Sequence, residues 1–192
     1  MQRTILFVLL MLVIAPAAQA HEVAKGGGFM LGLLHPVLGF DHLLAMVSVG
    51  ILSTQFGGRA IWQVPATFVV IMVVGGVLGI QGVGVPSVET GIAVSVMVLG
   101  AALAIGRKIH LGVCLLFVGL FALFHGHAHG VEMPHVADPK LYAAGFVTGT
   151  AAIHILGVAI GLVAERIPQG VAGLRYVGAG IAGIGVHLLI GA

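Results

Sequence analysis

The chain has 192 residues, of which 59% are hydrophobic and 7% charged, with a mean hydropathy of +1.19. Soluble domains carry about 25% charged residues, so a soluble enzyme is excluded and an all-α integral membrane protein is expected. Eight basic residues against six acidic ones leave a net charge of +2, too little for a nucleic-acid footprint.

Residues 1–20 open with Arg3, run through the apolar Ile5–Ile14 and end Ala18-Gln19-Ala20. This pattern predicts a cleavable signal peptide with an A-x-A site. Its apolar run is too short to span a bilayer, which takes about 20 residues. Cleavage makes His21 the mature N-terminus, where amine and imidazole either chelate a metal or form a flexible end. The remaining residues, 21–192, are expected to form one transmembrane domain of six helices, at 29–52, 62–80, 88–106, 109–127, 141–164 and 171–190.

Loop charge predicts the orientation. With the mature N-terminus outside, the inner loops hold Arg59, Arg107, Lys108, Arg166 and Arg175, and the outer segments only Lys25 and Lys140. That asymmetry obeys the positive-inside rule and puts both mature termini, with the polar segment Gly126–Lys140, outside the cytoplasmic membrane. Small residues recur four apart at Gly75/Gly79, Gly145/Gly149, Gly157/Gly161 and Ala179/Gly183. Such spacing permits close helix packing within a monomer or between copies in a homo-oligomer. Three spans followed by three more would put the two halves in opposite orientations, as in inverted-repeat transporters.

Histidine is over-represented, with ten residues against two tyrosines and one tryptophan. In the first span His35, Gly39, His42 and Met46 follow i, i+4, i+7 and i+11, one stripe of a continuous helix. Asp41 lies about 100° off that stripe, but Pro36 and Gly39 are able to bend the helix and bring it in. Imidazoles and a carboxylate at membrane depth are costly, so they point to function. Neutral imidazole suits divalent transition metals, and a carboxylate either ligates or orients the imidazole.

The fourth span ends Phe124-His125-Gly126-His127-Ala128-His129-Gly130-Val131-Glu132. There His125, His129 and Glu132 share a face if the helix continues through the two glycines. His127, His135 and Asp138 add polar groups at the same mouth. Glu89 opens the third span on that side, as a ligand or as a partner of the helix dipole. His154, mid-way along the fifth span, is either a ligand or proton relay or a core histidine bonded to a backbone carbonyl. His187 and His110 read as structural and interfacial. Cys114, the one cysteine, excludes an intrachain disulfide and reads as a small buried hydrophobe. There is no phosphate-binding loop, no H-E-x-x-H, no G-x-S-x-G and no haem-attachment motif.

Two stretches carry a resemblance. His35-Pro36-Val37-Leu38-Gly39-Phe40-Asp41-His42 resembles the H-P-x-x-G-x-D-H signature of the HupE/UreJ family, and 124–132 resembles that family's second signature. The resemblance covers essentially the whole chain. It implies a multi-pass permease of the bacterial inner membrane that carries nickel, or nickel and cobalt, for hydrogenase or urease maturation. It singles out His35, Asp41, His42, His129 and Glu132, and also Phe68 and Glu89.

The expected function is therefore uptake of a divalent metal, with Ni2+ or Co2+ as cargo, no tightly bound cofactor and the lipid bilayer as surroundings. The metal set is His35, Asp41, His42, Glu89, His129 and Glu132, with Phe68, His125, His127, His154 and Met46 as further candidates. The competing reading is an intramembrane zinc or iron enzyme whose metal activates water. Bottom-up, the residues specify a divalent metal site, and nickel rests on the resemblance.

Overall fold

The computed structural model describes residues 28–107, 109–134 and 137–191, all helix and short connections. The signal-peptide expectation, His21, Lys25, Lys108 and His135 lie outside the described residues. Seven helices follow in order: α1 Gly28–Leu38, α2 Phe40–Phe56, α3 Ala60–Ile80, α4 Val88–Ile105, α5 Leu111–Val131, α6 Pro139–Ala164 and α7 Gly170–Gly191. α3 to α7 are each long and apolar enough to cross a membrane, and α1 with α2 make a sixth candidate span bent by 81°. The chain is thus a multi-pass membrane protein with lipid-facing apolar side chains such as Val70, Leu116 and Ile155 on its surface.

The first span is not the continuous helix the stripe assumed. Pro36 lies inside α1, and Gly39 is extended, with φ −81° and ψ 106°. Proline removes a backbone donor and crowds the preceding turn, and the extended residue then starts a new helix. At 39 it is space, rather than conformational freedom, that disfavours a larger residue. A Cβ there would meet the His42 ring at 3.1 Å and the Asp41 carboxylate at 3.3 Å. The i, i+4, i+7, i+11 register across Gly39 therefore fails, and Met46 is buried in the apolar core.

Glycines set the helix pairs. Gly75 and Gly79 of α3 meet the α5 backbone, while Gly126 and Gly130 of α5 meet the backbone at Met72 and Gly76. Gly145 and Gly149 receive α1, and Gly157 and Gly161 receive α2. Gly100 and Gly178 join α4 to α7. Ala179 and Gly183 take no part, both being exposed, with open space where a Gly183 Cβ would go.

The rising order of these contacts makes α3 parallel to α5, and makes both α1 and α2 parallel to α6. The falling order makes α4 antiparallel to α7. Alternating crossings give this pattern when α1 and α2 together advance as one broken span. Exchanging the first three spans with the last three maps these dominant pairs onto themselves, as an inverted repeat does. The same order puts Arg59, Arg107, Arg166 and Arg175 at one end of the bundle, where Arg175 Nε donates to the Ala104 carbonyl at 2.8 Å. Glu89 and Glu132 stand at the other.

Candidate metal site

α5 is longer than its sequence suggested. It continues through Gly126 and Gly130 to Val131, because those glycines admit the α3 backbone rather than breaking the helix. The loop expected at 126–140 shrinks accordingly, and Asp138 becomes the N-cap of α6, accepting from the N–H groups of Lys140 and Leu141. His110 caps α5 in the same way, through Gly112. His125, His129 and Glu132 share one face and meet the broken first span.

At the acidic end of the bundle His35, His129 and Glu132 offer ligand atoms that all lie within 4.8 Å of one another, the one such group of three among the described residues. His35 Nε2 lies 3.3 Å from Glu132 Oε2, and His129 Nδ1 lies 3.9 Å from the same oxygen. Phe146 of α6 packs on the His129 ring, centroids 4.2 Å apart, and Tyr142 flanks His35 at 5.9 Å. The Glu132 side chain is half exposed while that of His129 is 3% exposed. The group thus joins solvent to the interior.

Below it the imidazoles follow one another in tilted and edge-on contact. The His129 ring lies 4.2 Å from His42, and His42 lies 4.5 Å from His125. Phe68 follows at 5.6 Å from His125, and His154 lies 5.0 Å beyond Phe68. These rings come from α2, α3, α5 and α6. At about 1.5 Å per residue, His154 sits roughly 22 Å along α6 from its start.

Hydrogen-bond partners fix the tautomers of three of these rings, His42, His125 and His154. His42 Nδ1–H donates to Asp41 Oδ1 at 2.7 Å, and the same oxygen accepts from the His42 backbone N–H at 2.8 Å. A carboxylate only accepts, so Nε2 of His42 carries the lone pair. His154 Nδ1–H donates to the Thr150 carbonyl at 2.8 Å, which leaves Nε2 bare. Ser95 gives its hydroxyl hydrogen to the Ile92 carbonyl at 2.7 Å, so it accepts from His125 Nε2–H at 2.8 Å. Nδ1 of His125 is then bare.

His42 Nε2, His125 Nδ1, His154 Nε2 and both ring nitrogens of His129 are buried without a hydrogen-bond partner. An unpaired buried polar atom costs about 1–3 kcal/mol. Here the cost recurs along one line of rings, and His42, His125 and His154 are each held at the other nitrogen in the manner of a metal-ligating histidine.

The other expected residues separate from this line. Glu89 lies apart from the three-ligand group. With Asp41, Ala93, His187, Leu188 and Gly191 it lines a cavity of about 470 Å³ on the far side of Asp41. Asp41 therefore touches His42 through one oxygen while also lining a second cavity. His127 is buried and donates from Nε2 to the Val83 carbonyl at 2.8 Å, which holds the connection after α3. Phe68 is wholly buried and touches two of the histidines. Sequence reasoning missed Ser95, Tyr142, Phe146 and the cavity role of His187. Only Ser95 left a trace, as a hydroxyl in an apolar span.

The family model described as HupE / UreJ protein matches residues 9–188. Protein HupE of Rhizobium leguminosarum bv. viciae is 45% identical over 175 residues, which cover 91% of each chain. No solved structure matches the chain. The histidine line and its two flanking motifs occupy the matched region, and the chain belongs to the HupE/UreJ family.

Proposed function

We propose that this protein is a secondary permease that takes divalent transition-metal ions, chiefly Ni2+, across the bacterial inner membrane for nickel-enzyme maturation. The observation that carries the reading is the line of buried imidazoles, each with a bare nitrogen, that descends from the His35–His129–Glu132 group. Membership of the HupE/UreJ family supports transport over catalysis, and its resemblance-based link to nickel and cobalt supports the choice of cargo.

Glu132 and the imidazoles of His35 and His129 capture the ion at the mouth. The proton held between His35 and Glu132 leaves as the metal enters, because imidazole binds metal only through a free lone pair. His42 receives the ion next, its ring held by Asp41, and His125 follows. Ligands met one or two at a time suit a carrier, since each must bind and then release. With the acidic end outside, as loop charge predicts, the membrane potential draws the cation inward with about 2.3 kcal/mol per charge per 100 mV.

Asp41, Glu89 and His187 line a cavity beside the path. The carboxylates there raise the local cation concentration without forming a compact ligand set. Purified protein in proteoliposomes, offered Ni2+, Co2+, Zn2+ and Cu2+ in parallel, tests the reading. Ni2+ entry above that of empty liposomes is expected. Stoichiometric metal that never exchanges, without flux, would instead identify a metalloenzyme or sensor.

A further inference from the structure

The line of rings does not end at the residues that the two family signatures contain. His154 belongs to α6, outside both, and its Nε2 is a bare lone pair on a side chain only 1% exposed. Its tautomer is set by a carbonyl that can only accept, so Nε2 is prepared to ligate and cannot donate. His125, fully buried, presents Nδ1 in the same state. Two such nitrogens, buried without a hydrogen-bond partner, have no role in packing, where each costs stability.

Between them stands Phe68. Its ring touches His125 and His154, tilted 53° and 54° against them, whereas those two imidazoles form no ring contact with each other among the described residues. Phe68 is fully buried, so no water passes beside it in this conformation. An apolar constriction of that kind blocks hydrated ions and protons by excluding water. Pro65 lies inside α3 three residues before Phe68 and cannot donate to the Ile61 carbonyl. α3 therefore lacks a backbone bond in the turn just before the one that carries the ring.

We infer that His154 is the inner transfer ligand of the metal path, and that the Phe68 ring is a movable barrier across which the ion passes from His125 to His154. This rests on the permease reading. Rotation of one ring exchanges a closed state, with metal on the outer imidazoles, for one in which His154 Nε2 takes it. The barrier keeps the membrane sealed to protons while the mouth stays open to water.

The test uses the full chain in proteoliposomes with a Ni2+-responsive dye inside, together with equilibrium binding of Ni2+ to the detergent-purified protein. His154→Gln is expected to lower the initial entry rate at least tenfold. Half-saturating Ni2+ in the binding assay and the unfolding temperature should stay near wild type. Phe68→Ala is expected to raise proton leak, read by an interior pH dye, at least tenfold over wild type.

A third arm does not depend on flux. With 15N-labelled histidine and added Co2+, the His154 resonance should show a paramagnetic shift in Phe68→Ala, and a much weaker one in wild type. Entry at the wild-type rate in His154→Gln, or an unshifted His154 in Phe68→Ala, overturns the inference. Wild-type vesicles that admit no more Ni2+ than empty ones would instead overturn the permease reading, and the Co2+ arm would still decide whether His154 binds metal.

Discussion

Asp41 and His42 are neighbours in the chain and are joined again through space, the ring Nδ1–H of His42 donating to Asp41 Oδ1 at 2.7 Å. The bond turns the other nitrogen, Nε2, away from the carboxylate and into the buried line of imidazoles. Asp41→Ala would free the ring to turn and to change tautomer. Loss of such an orienting carboxylate costs about 10–100-fold in metal affinity. Equilibrium binding of Ni2+ should weaken by that order, and Asp41→Asn, which keeps an accepting oxygen, should recover part of it. Unchanged binding in both variants would remove Asp41 from the site.

Glu132 acts at the mouth, where its side chain is half exposed and touches His35 and His129. Glu132→Gln keeps the shape and removes the charge. Its effect should fall on capture: half-saturating Ni2+ rises several-fold while the maximal entry rate changes by less than about twofold, since uniform binding governs the former. An equal fall in both quantities would move Glu132 to a deeper step.

Ser95 does for His125 what Asp41 does for His42. Ser95→Ala leaves His125 Nε2 without its acceptor in a fully buried place, a loss of about 1–3 kcal/mol. It also frees the tautomer, so Nδ1 is bare only part of the time. Entry should slow, and Ser95→Thr, which retains the hydroxyl, should restore it. Thermal unfolding and initial entry rates on the three proteins check both parts. A slow but stable Ser95→Thr would show that shape, not the hydrogen bond, matters.

Acid should slow entry. A protonated imidazole has no lone pair for a metal, so protons and Ni2+ compete for the same nitrogens. Lowering the external pH therefore weakens binding at the mouth, and raising it strengthens binding until the ligands are fully neutral. Binding isotherms over a pH series check the sign. Affinity that stays flat or rises on acidification would exclude histidine as the capturing ligand.

Two glycine substitutions should differ sharply. A Cβ on Gly126 would collide with the Met72 carbonyl, whereas one on Gly183 meets nothing within 4 Å. Gly126→Ala should destabilise the bundle by about 1–3 kcal/mol or more, the usual cost of overpacking. Gly183→Ala should stay within about 0.5 kcal/mol of wild type as a monomer. Thermal unfolding in detergent compares them. A large cost at Gly183 would indicate that its face is covered by another copy.

Much of this was legible in the chain. Long apolar runs separated by arginines specify the spans, because in hydrocarbon every backbone group must bond within its own helix. His35, Asp41, His42, His129 and Glu132 stood out because polar groups in an apolar run are costly. Other features were not legible. The i, i+4, i+7, i+11 stripe assumed a straight helix, and the break at Gly39 depends on how the Asp41–His42 pair folds back over it. Gly126 and Gly130 left open whether the helix continues, and the α3 backbone that fills the space they leave decides that it does. Glu89 reads in the chain as a ligand or as a partner of the helix dipole, and only the structure shows that it lines a separate cavity with His187.

The sequence by itself determined that the protein is a helical membrane protein carrying imidazoles and carboxylates at one end. Hydropathy and charge act locally, residue by residue, against lipid. Only the tertiary structure decided which of those groups share a path. The contact of His42 with His129, the tautomer of His125 and the position of Phe68 against His154 depend on four helices meeting. Glycine contacts between helices set that meeting, and no periodicity within one helix records where a neighbouring backbone will lie.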